Sequence, residues 1–495
     1  MLSLPEDIIW RIVVMISFTT EQKQLLRHIR HLSQICRNWR SVAITTSTIW
    51  GRAIDMDVLG ASSRYWSYEV IRRSGNSPLH VYGAVYGNRR RSNDLLTSLL
   101  KHHWSRFEVL DIEVFNREDL SVWDTFCKEP APSLESFRLS CYGQGHIPDS
   151  FKVSLFSDHA PKLRRLRFEW DGQRHNFYHS KWTKQLREIE LTAPLSVPQG
   201  LDLLAKMRDL EVLTISTEIF CLTSPLPSSQ IKIVLPKLRS IAISGTLGTA
   251  IAFLSHITPS ETWCTLRILT LPGAFQPASY PVSPSDMDRL ESILTTYSHS
   301  ILTSETLPRT SKSISMNLDD GHYAFFTSDA GTANESASID IHHSVEPHLQ
   351  FNIDTLLRVL LPCPLDGITY FRFVLSKPAE ENIRLLRNLQ LATFIASLSS
   401  VRIIVLSVHS LEILYTNSQT SEEPVFPELI EIRLTPTDQS LLKGALQQII
   451  SIVTSRQRRN NLRRVERLRL YGTLRIREKY LWIMDKLNDT EVTWH

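Results

Sequence analysis

The sequence predicts an α/β protein in which an all-helical N-terminal hairpin precedes a repeat of strands and helices. Three observations predict this class. Apolar residues recur at helical spacing over residues 4–16 and 25–43. From residue 104 onward they recur as L-x-x-L-x-L, and the final step of two residues suits a strand, because on a helix it turns the side chains about 200° apart. Segments between these strands, such as residues 283–300, again have helical spacing.

The first helix is expected to begin at Pro5, which loses no hydrogen bond in a first turn. Ser3 and Glu6 have the spacing of a capping box. One face of this helix carries the apolar residues Pro5, Ile8, Ile9, Ile12 and Ile16. A helix this apolar near a terminus needs two partners, so we expect one of them to be another polypeptide.

The second helix supplies the core of the hairpin. Its apolar face is formed by Leu25, Ile29, Leu32, Ile35, Cys36, Trp39, Val42 and Ala43. A turn then leads to Ile49 and Trp50. An ordinary helical hairpin inside a larger core would give the same pattern.

These segments resemble the F-box, the helical module by which substrate receptors dock on the Skp adaptor of Skp–cullin–F-box ubiquitin ligases. The resemblance is carried by Leu4-Pro5-Glu6-Asp7-Ile8-Ile9 with Ile12, by Ile35-Cys36-Arg37-Asn38-Trp39-Arg40-Ser41-Val42-Ala43, and by Ile49-Trp50. Residues 72–81 are similar to the R-S-G-x-x-P-L segment that follows the F-box in many fungal members. The connection over residues 17–24 is longer than in the compact form of the module.

The resemblance implies a function and a set of site residues. The adaptor would be bound by Leu4, Pro5, Ile8, Ile9 and Ile12. The core of the module would consist of Ile35, Cys36, Trp39, Val42 and Trp50. The chain would be the substrate-recognition subunit, without catalysis of its own, because a conjugating enzyme recruited through cullin would transfer ubiquitin to the presented target. The alternative is a scaffolding repeat protein that takes no part in ubiquitination.

The strand pattern recurs eleven times. The triplets are Phe107/Leu110/Ile112, Leu134/Phe137/Leu139, Leu163/Leu166/Phe168, Leu186/Ile189/Leu191, Leu210/Leu213/Ile215, Leu238/Ile241/Ile243, Leu266/Leu269/Leu271, Ile368/Phe371/Phe373, Val401/Ile404/Leu406, Leu429/Ile432/Leu434 and Val465/Leu468/Leu470. The first seven follow one another at 23 to 29 residues, and leucine-rich repeats have a period of roughly 20–29 residues. The usual asparagine after each strand is absent, so we expect a degenerate leucine-rich-repeat-like curved solenoid. The predicted domains are the F-box at 1–50, a connecting segment at 51–103 and the solenoid at 104–495, with an irregular insertion near 310–353.

Arginine lies between the last two apolar residues of five triplets, where a strand turns its side chain to the outer surface. These residues are Arg138, Arg167, Arg372, Arg433 and Arg469. Aligned guanidinium groups suit an acidic or phosphorylated target segment. Alternatively, arginine is a spacer on a solvated strand face that discourages aggregation.

Composition narrows the function classes. The chain has 495 residues and a net charge of +4, which argues against nucleic-acid binding as its main role. Six cysteines without a C-x-x-C pair indicate reduced thiols and a cytoplasmic or nuclear location, with no disulfide framework. The sequence shows neither a signal peptide nor an apolar stretch of ~18 residues, which argues against a membrane span. It carries no nucleophile elbow, P-loop or dinucleotide fingerprint, and its adjacent histidine pairs have no metal-site geometry, so we expect no cofactor and no metal.

Overall fold

A computed structural model provides the structure of the protein. The residues that it describes are 4–86, 89–115, 126–142, 155–170, 180–191, 197–216, 232–245, 247–258, 264–270, 284–303, 312–319, 322–328, 335–343, 353–375, 389–420, 425–435, 439–458, 462–471, 486–487 and 490–494. The chain divides into two compact units, Met1–Ser228 and Ser229–His495. This division differs from the predicted domain ranges 1–50, 51–103 and 104–495.

The first unit begins with four helices, α1 (Glu6–Thr19), α2 (Gln22–Ile35), α3 (Arg37–Thr45) and α4 (Ser47–Arg52). Helix α1 packs against the other three. Ser3, the predicted cap, lies outside the described residues. Cys36 separates α2 from α3 because its backbone is extended, with φ −158° and ψ 178°. The predicted second helix is therefore two helices.

Seven strands follow in this unit, and each pairs in parallel with the next. They are β1 (Ile54–Asp55), β2 (Leu79–Tyr86), β3 (Phe107–Phe115), β4 (Ser136–Tyr142), β5 (Arg165–Trp170), β6 (Glu188–Leu191) and β7 (Val212–Ser216). The helices between them are α5 (Met56–Ala61), α6 (Arg64–Arg73), α7 (Arg90–His103) and α8 (Val197–Leu204), with short 3-10 helices at Trp104–Arg106, Leu155–Asp158 and Lys181–Gln185.

The second unit has a small parallel pair, β8 (Ile233–Val234) with β10 (Ile257–Thr258), and a larger sheet. The larger sheet contains β9 (Ser240–Gly245), β11 (Thr265–Thr270), β12 (Lys312–Asp319), β13 (His322–Ser328), β14 (Glu335–His343), β15 (Ile368–Leu375), β16 (Ile403–Leu406), β17 (Glu431–Leu434), β18 (Arg467–Leu470) and β19 (Glu491–Trp494). Its helices are α9 (Leu247–Leu254), α10 (Pro284–Thr303), α11 (Ile353–Leu360), α12 (Leu389–Ser397), α13 (Val408–Thr420) and α14 (Gln439–Gln457).

The strands of the larger sheet are parallel except around β13. That strand runs antiparallel between β12 and β14, and these two pair in parallel with β15 and β11 respectively. The irregular insertion predicted near residues 310–353 falls on these three strands. From β15 to β19 the strands pair in chain order.

Alternation along each strand sets which side chains enter the core. Phe137 and Leu139 of β4 are fully buried, whereas Arg138 between them is half-exposed. Ten of the eleven apolar triplets end on a strand in the predicted frame. The exception is β11, where Leu266 and Ile268 are the buried pair, one residue out of the predicted frame.

The α/β class is confirmed, but the predicted arrangement of a helical hairpin followed by a curved solenoid is wrong. The N-terminus has four helices, and α2 and α4 pack on the first strands β1 and β2. The rest of the described chain is large, mainly parallel sheet with helices between strands. The period-two pattern predicts a strand, but neither how the strands are assembled nor the antiparallel insertion follows from it.

The segment after α6 holds α4 against the sheet. Ser77 Oγ lies 2.7 Å from Ser47 Oγ, and its carbonyl accepts a hydrogen bond from Arg106 Nη2 at 2.8 Å. Gly51 of α4 approaches so closely that an added Cβ would collide with the carbonyl oxygen of Pro78. Residues 72–81, noted for their similarity to the segment after the F-box, are therefore the place where the helices meet the sheet.

In the second unit, Arg456 near the end of α14 fixes the entry into two strands. It is buried, and its guanidinium donates hydrogen bonds to the carbonyls of Val425, Phe426, Pro427 and Arg463 at 2.9–3.1 Å. The first three carbonyls precede β17 and the fourth precedes β18. Burial lowers the pKa of Arg456 to about 10.

Protonation of His80 should destabilise the first unit in acid. Burial, together with the nearby charge of Arg52, lowers the pKa of His80 to about 4, although Glu108 Oε1 lies 3.5 Å from Nε2. In the unfolded chain His80 therefore binds a proton as the pH falls through about 6.5, whereas in the folded chain it does so only near pH 4. Stability is complete above pH ~6.5, and up to about 3 kcal/mol is lost as the pH falls towards 4.

Urea unfolding at several pH values, monitored by circular dichroism, measures this effect. His80→Gln should lose less stability than the wild type between pH 7.5 and pH 4.5. Identical pH dependence for the two proteins would show that His80 does not cause the loss.

Candidate interaction surfaces

Helix α1 buries a different face from the predicted one. The fully buried side chains are Ile9, Val13 and Ser17, at i, i+4 and i+8. Ile8 and Ile12, at the centre of the predicted face, lie at its edge and are half-buried. Because the helix is apolar nearly all round, its sequence does not fix which face enters the core.

Because α1 buries a different face, some of the predicted adaptor-binding residues are exposed and one is buried. Leu4 is 48% exposed and Pro5 is also exposed. Ile8 and Ile12 present part of their side chains to solvent. Ile9 is only 1% exposed, so it belongs to the protein's own core and is not available to a partner.

Some residues of the predicted core of the N-terminal helices are buried, and others are exposed. Val42 and Trp50 are buried at 2% exposure each, and Trp39 is half-buried. Ile35 is 58% exposed and Cys36 is exposed. These two were expected in the core, but the extended backbone at Cys36 ends α2 and breaks the helical face on which that expectation rests.

Trp50 holds this region together. Its indole Nε1 donates a hydrogen bond to the Ala43 carbonyl at 2.7 Å, and its ring packs edge-on against Trp66 at 6.1 Å. The guanidinium of Arg73 lies 4.7 Å from the centre of the ring. Arg73 is held in turn by Glu69, whose pKa the hydrogen bonds from Arg72 and Arg73 lower to about 2. One side chain thus joins α3, α4 and α6.

Exposed apolar side chains are concentrated near the N-terminus. Nine of the thirteen large apolar side chains exposed among the described residues lie between residues 4 and 68. On α1 they include Trp10, Met15 and Phe18, at 48%, 58% and 65% exposure. Met15 and Phe18 were not predicted as site residues, although a helix apolar on every side was a signal that could have found them. Exposed apolar side chains concentrated in one segment make it a candidate interaction surface.

The same region carries the net charge of the protein. Residues 1–52 contain seven lysines and arginines but three acidic residues, and the remainder of the chain holds equal numbers of each. The overall charge of +4 is therefore located entirely in the N-terminal helices. A partner for this surface gains from apolar and acidic side chains together.

The five outward arginines form two groups, one in each unit. In the first unit, Arg138 and Arg167 are neighbours on β4 and β5, flanked in the same row by Asp111 and Glu190. Arg138 Nε lies 3.5 Å from Asp111 Oδ1, and Arg167 Nε lies 2.7 Å from Glu190 Oε2. Burial raises the pKa of Asp111, and Arg138 opposes this. Two positive and two negative charges balance in this row.

The second group is arranged around a buried carboxylate. Arg433 Nε donates a hydrogen bond to Glu431 Oε1 at 2.7 Å, and Arg469 Nε lies 2.7 Å from the same oxygen. Arg467 Nη2 lies 3.4 Å from Oε2. The side chain of Glu431 is 1% exposed. We call Glu431, Arg433, Arg467 and Arg469 the Glu431 cluster.

Glu431 and Arg467 were not predicted. The signal was present, because Glu431 and Arg467 precede Arg433 and Arg469 by two residues and so share the outer face of β17 and β18. Arg372 lies on the same face, in the row of Arg433 and Arg469. It is exposed, and it makes no ion pair within the part of the chain that the structure describes.

Comparison with known proteins does not extend these observations, since no family model matches the chain and no curated protein is similar to it. Among the described residues, no group of three histidine, cysteine or acidic side chains could hold a metal ion. Within those same ranges, no helix is long and apolar enough to cross a bilayer.

Trp50 should be essential to the stability of the first unit. Trp50→Ala is expected to lower the free energy of unfolding by about 3–5 kcal/mol, because a buried ring, its hydrogen bond and its contact with Arg73 are lost together. Trp10→Ala is the matched control, since nearly half of that side chain is already exposed. It should cost about 1 kcal/mol or less. Chemical denaturation of the full chain checks both, and equal losses would contradict the role of Trp50.

Proposed function

We propose that this chain is the substrate-recognition subunit of a Skp–cullin–F-box ubiquitin ligase. Its N-terminal helices dock on the Skp adaptor, and the outer face of its sheets binds a target protein. The chain supplies proximity and orientation, while the conjugating enzyme recruited through cullin performs the chemistry. It acts in the cytoplasm or nucleus as a receptor without catalytic activity of its own.

One observation carries the proposal. Six of the thirteen large apolar side chains that are exposed among the described residues lie within residues 1–50, the range that resembles the F-box. Ile8, Ile12 and Met15 follow one another at intervals of four and three residues, which places them along one side of α1, and Leu4 lies just before the N-cap of the helix. Ile8 and Ile12 lie at the edge of the buried face and are half-buried, so a partner that covers them extends the existing core.

The adaptor-binding surface differs from the first expectation in two residues. Ile9 is excluded because its side chain is already buried, and Met15 is added because it is 58% exposed on the same side. Pro5 is the N-cap of α1, which begins at Glu6, and both Pro5 and Leu4 are exposed.

A scaffolding protein without a role in ubiquitination is the alternative. It shares the exposed helices and the sheets, and differs in its partners. Capture of cullin together with the adaptor distinguishes the two functions, because cullin reaches this chain only through the adaptor in the ligase.

Charge placed on the exposed side of α1 should abolish adaptor binding. Leu4→Glu with Ile8→Glu is expected to remove the adaptor and cullin from affinity-purified chain, because each carboxylate would be buried without a partner in an apolar interface. Quantitative mass spectrometry of the captured proteins measures the loss. Substitution of Ile9 is avoided because it would unfold the helices.

The matched control is Val234→Glu with Leu389→Glu, which adds the same charge at apolar sites of the second unit that are 62% and 80% exposed. This variant should retain the adaptor. Undiminished capture by the Leu4/Ile8 variant, or absence of adaptor and cullin from the wild-type preparation, would refute the proposal.

A further inference from the structure

The outer face of β15 to β18 carries an excess of positive charge at one place. Arg372, Val405, Arg433 and Arg469 occupy one row across the four strands. Arg372 lies two strands from Arg433, which is about 10 Å at the usual strand spacing. This separation is within the combined reach of two arginine side chains holding a common ligand.

Glu431 organises these arginines without neutralising them. Its carboxylate is shared by Arg433, Arg467 and Arg469, so three positive charges meet one negative charge. Arg433 and Arg469 contact Glu431 through their Nε atoms. The two side chains are 25% and 31% exposed. A guanidinium held at Nε presents its outer edge in a fixed direction, which favours bidentate binding of an oxyanion.

The equivalent row of the first unit shows what a balanced row looks like. There Arg138 and Arg167 each have an acidic neighbour in register, and no excess charge is left. If arginine served only as a solvated spacer, both rows could be balanced in the same way. The Glu431 cluster instead has a surplus of two positive charges. Arg372 adds one and Glu491, in register with Arg467, removes one, so the surplus remains two.

We propose that the Glu431 cluster, with Arg372, binds the phosphoryl group of a phosphorylated segment in the target protein. A phosphoserine or phosphothreonine carries about −1.5 to −2 charges at neutral pH, which matches the surplus, and its three oxygens suit several arginine donors. The inference rests on the proposed function in that the segment belongs to the protein presented for ubiquitination.

Acidic residues around the cluster favour one phosphoryl group over a long polyanion. Glu491 lies opposite Arg467 in register on β19. Arg463, at the entry to β18, lies between Glu428 and Glu466 at 3.5 and 3.8 Å. A nucleic-acid backbone crossing this face would meet these carboxylates, whereas a short phosphorylated segment needs only the cluster.

The shape of the site is stable because its strands are held by hydrogen bonds at their N-terminal ends and by buried side chains on their inner face. Arg456 binds the carbonyls that precede β17 and β18, so the two strands that carry the cluster enter the sheet from fixed positions. Apolar Leu468 and Leu470 alternate with Arg467 and Arg469 and are fully buried. The arginines therefore have a rigid base, which lowers the entropy lost on binding.

Capture on immobilised peptides tests the proposal. The full chain is passed over a degenerate library of short peptides with a central phosphoserine or phosphothreonine, over the same library without phosphate, and over single-stranded poly-U RNA. The wild type should be retained by the phosphorylated library alone. Arg433→Gln with Arg469→Gln should reduce its retention about tenfold or more, because two charged sets of hydrogen bonds are lost.

Arg138→Gln with Arg167→Gln is the matched control, with the same change in charge on the balanced row, and should bind as the wild type does. Removal of both arginines leaves Glu431 buried without its closest partners. The variant Glu431→Gln/Arg433→Gln/Arg469→Gln removes the buried charge as well and is measured alongside. It should show the same loss of binding with an unchanged melting temperature. The proposal would be overturned if the wild type were retained equally by the two peptide libraries, or by poly-U RNA in place of the peptides. It would also be overturned if the triple variant bound as well as the wild type, or if the Arg138/Arg167 control lost as much binding as the Arg433/Arg469 variant.

Adaptor capture by the same variants separates this inference from the proposed function. The Arg433/Arg469 variant should still bring down the adaptor, because the cluster and α1 lie in different units. A wild-type chain that brings down the adaptor but is retained equally by the phosphorylated and unphosphorylated libraries refutes the inference alone. Absence of the adaptor from a wild-type chain that selects phosphopeptides refutes the proposed function and leaves the phosphoryl site standing.

Discussion

The register of parallel strands is the constraint on which the structure depends. Every second side chain on β3 to β7 and on β15 to β18 enters the core, and each strand repeats this alternation in line with its neighbour. Buried rows such as Phe137, Leu166 and Ile189 stack on one side as a result. The residues between them are forced into rows on the other side, where charge can accumulate or cancel. A shift of one residue in any strand would exchange the two sides.

Much of the strand pattern could be predicted from the sequence, because it depends on local spacing. The frame fails only at β11, where Leu266, Ile268 and Leu269 are all apolar and two frames fit equally well. The antiparallel pairing of β12 with β13 was predictable from the turn residues Asp319-Asp320-Gly321 between two apolar segments, whereas the four-helix N-terminus and the order of the strands leave no periodic signal. The extended backbone at Cys36 is of the same kind, because it breaks a helix inside a favourable pattern.

The candidate surfaces were predictable to a similar degree. Exposure of Leu4 follows from its place at a helix end, but burial of Ile9 depends on which side of α1 the neighbouring helices cover. The outward position of Arg433 follows from period two. Its relation to Arg469 depends on strand pairing, and the central position of Glu431 emerges only when β17 and β18 are side by side. Long-range pairing therefore accounts for most of what the sequence leaves open.

The close approach of Gly51 to Pro78 gives the N-terminal helices a boundary that sequence similarity misses. The similarity to an F-box ends at residue 50, yet α4 continues to Arg52 and rests on the carbonyl of Pro78 and the side chain of Ser77. A fragment that ends at Trp50 would lose that support, and the Trp50 indole, which is buried in the intact chain, would become exposed to solvent. The N-terminal helices and the first strands thus form one structural unit, so a fusion protein that carries these helices must also include β2.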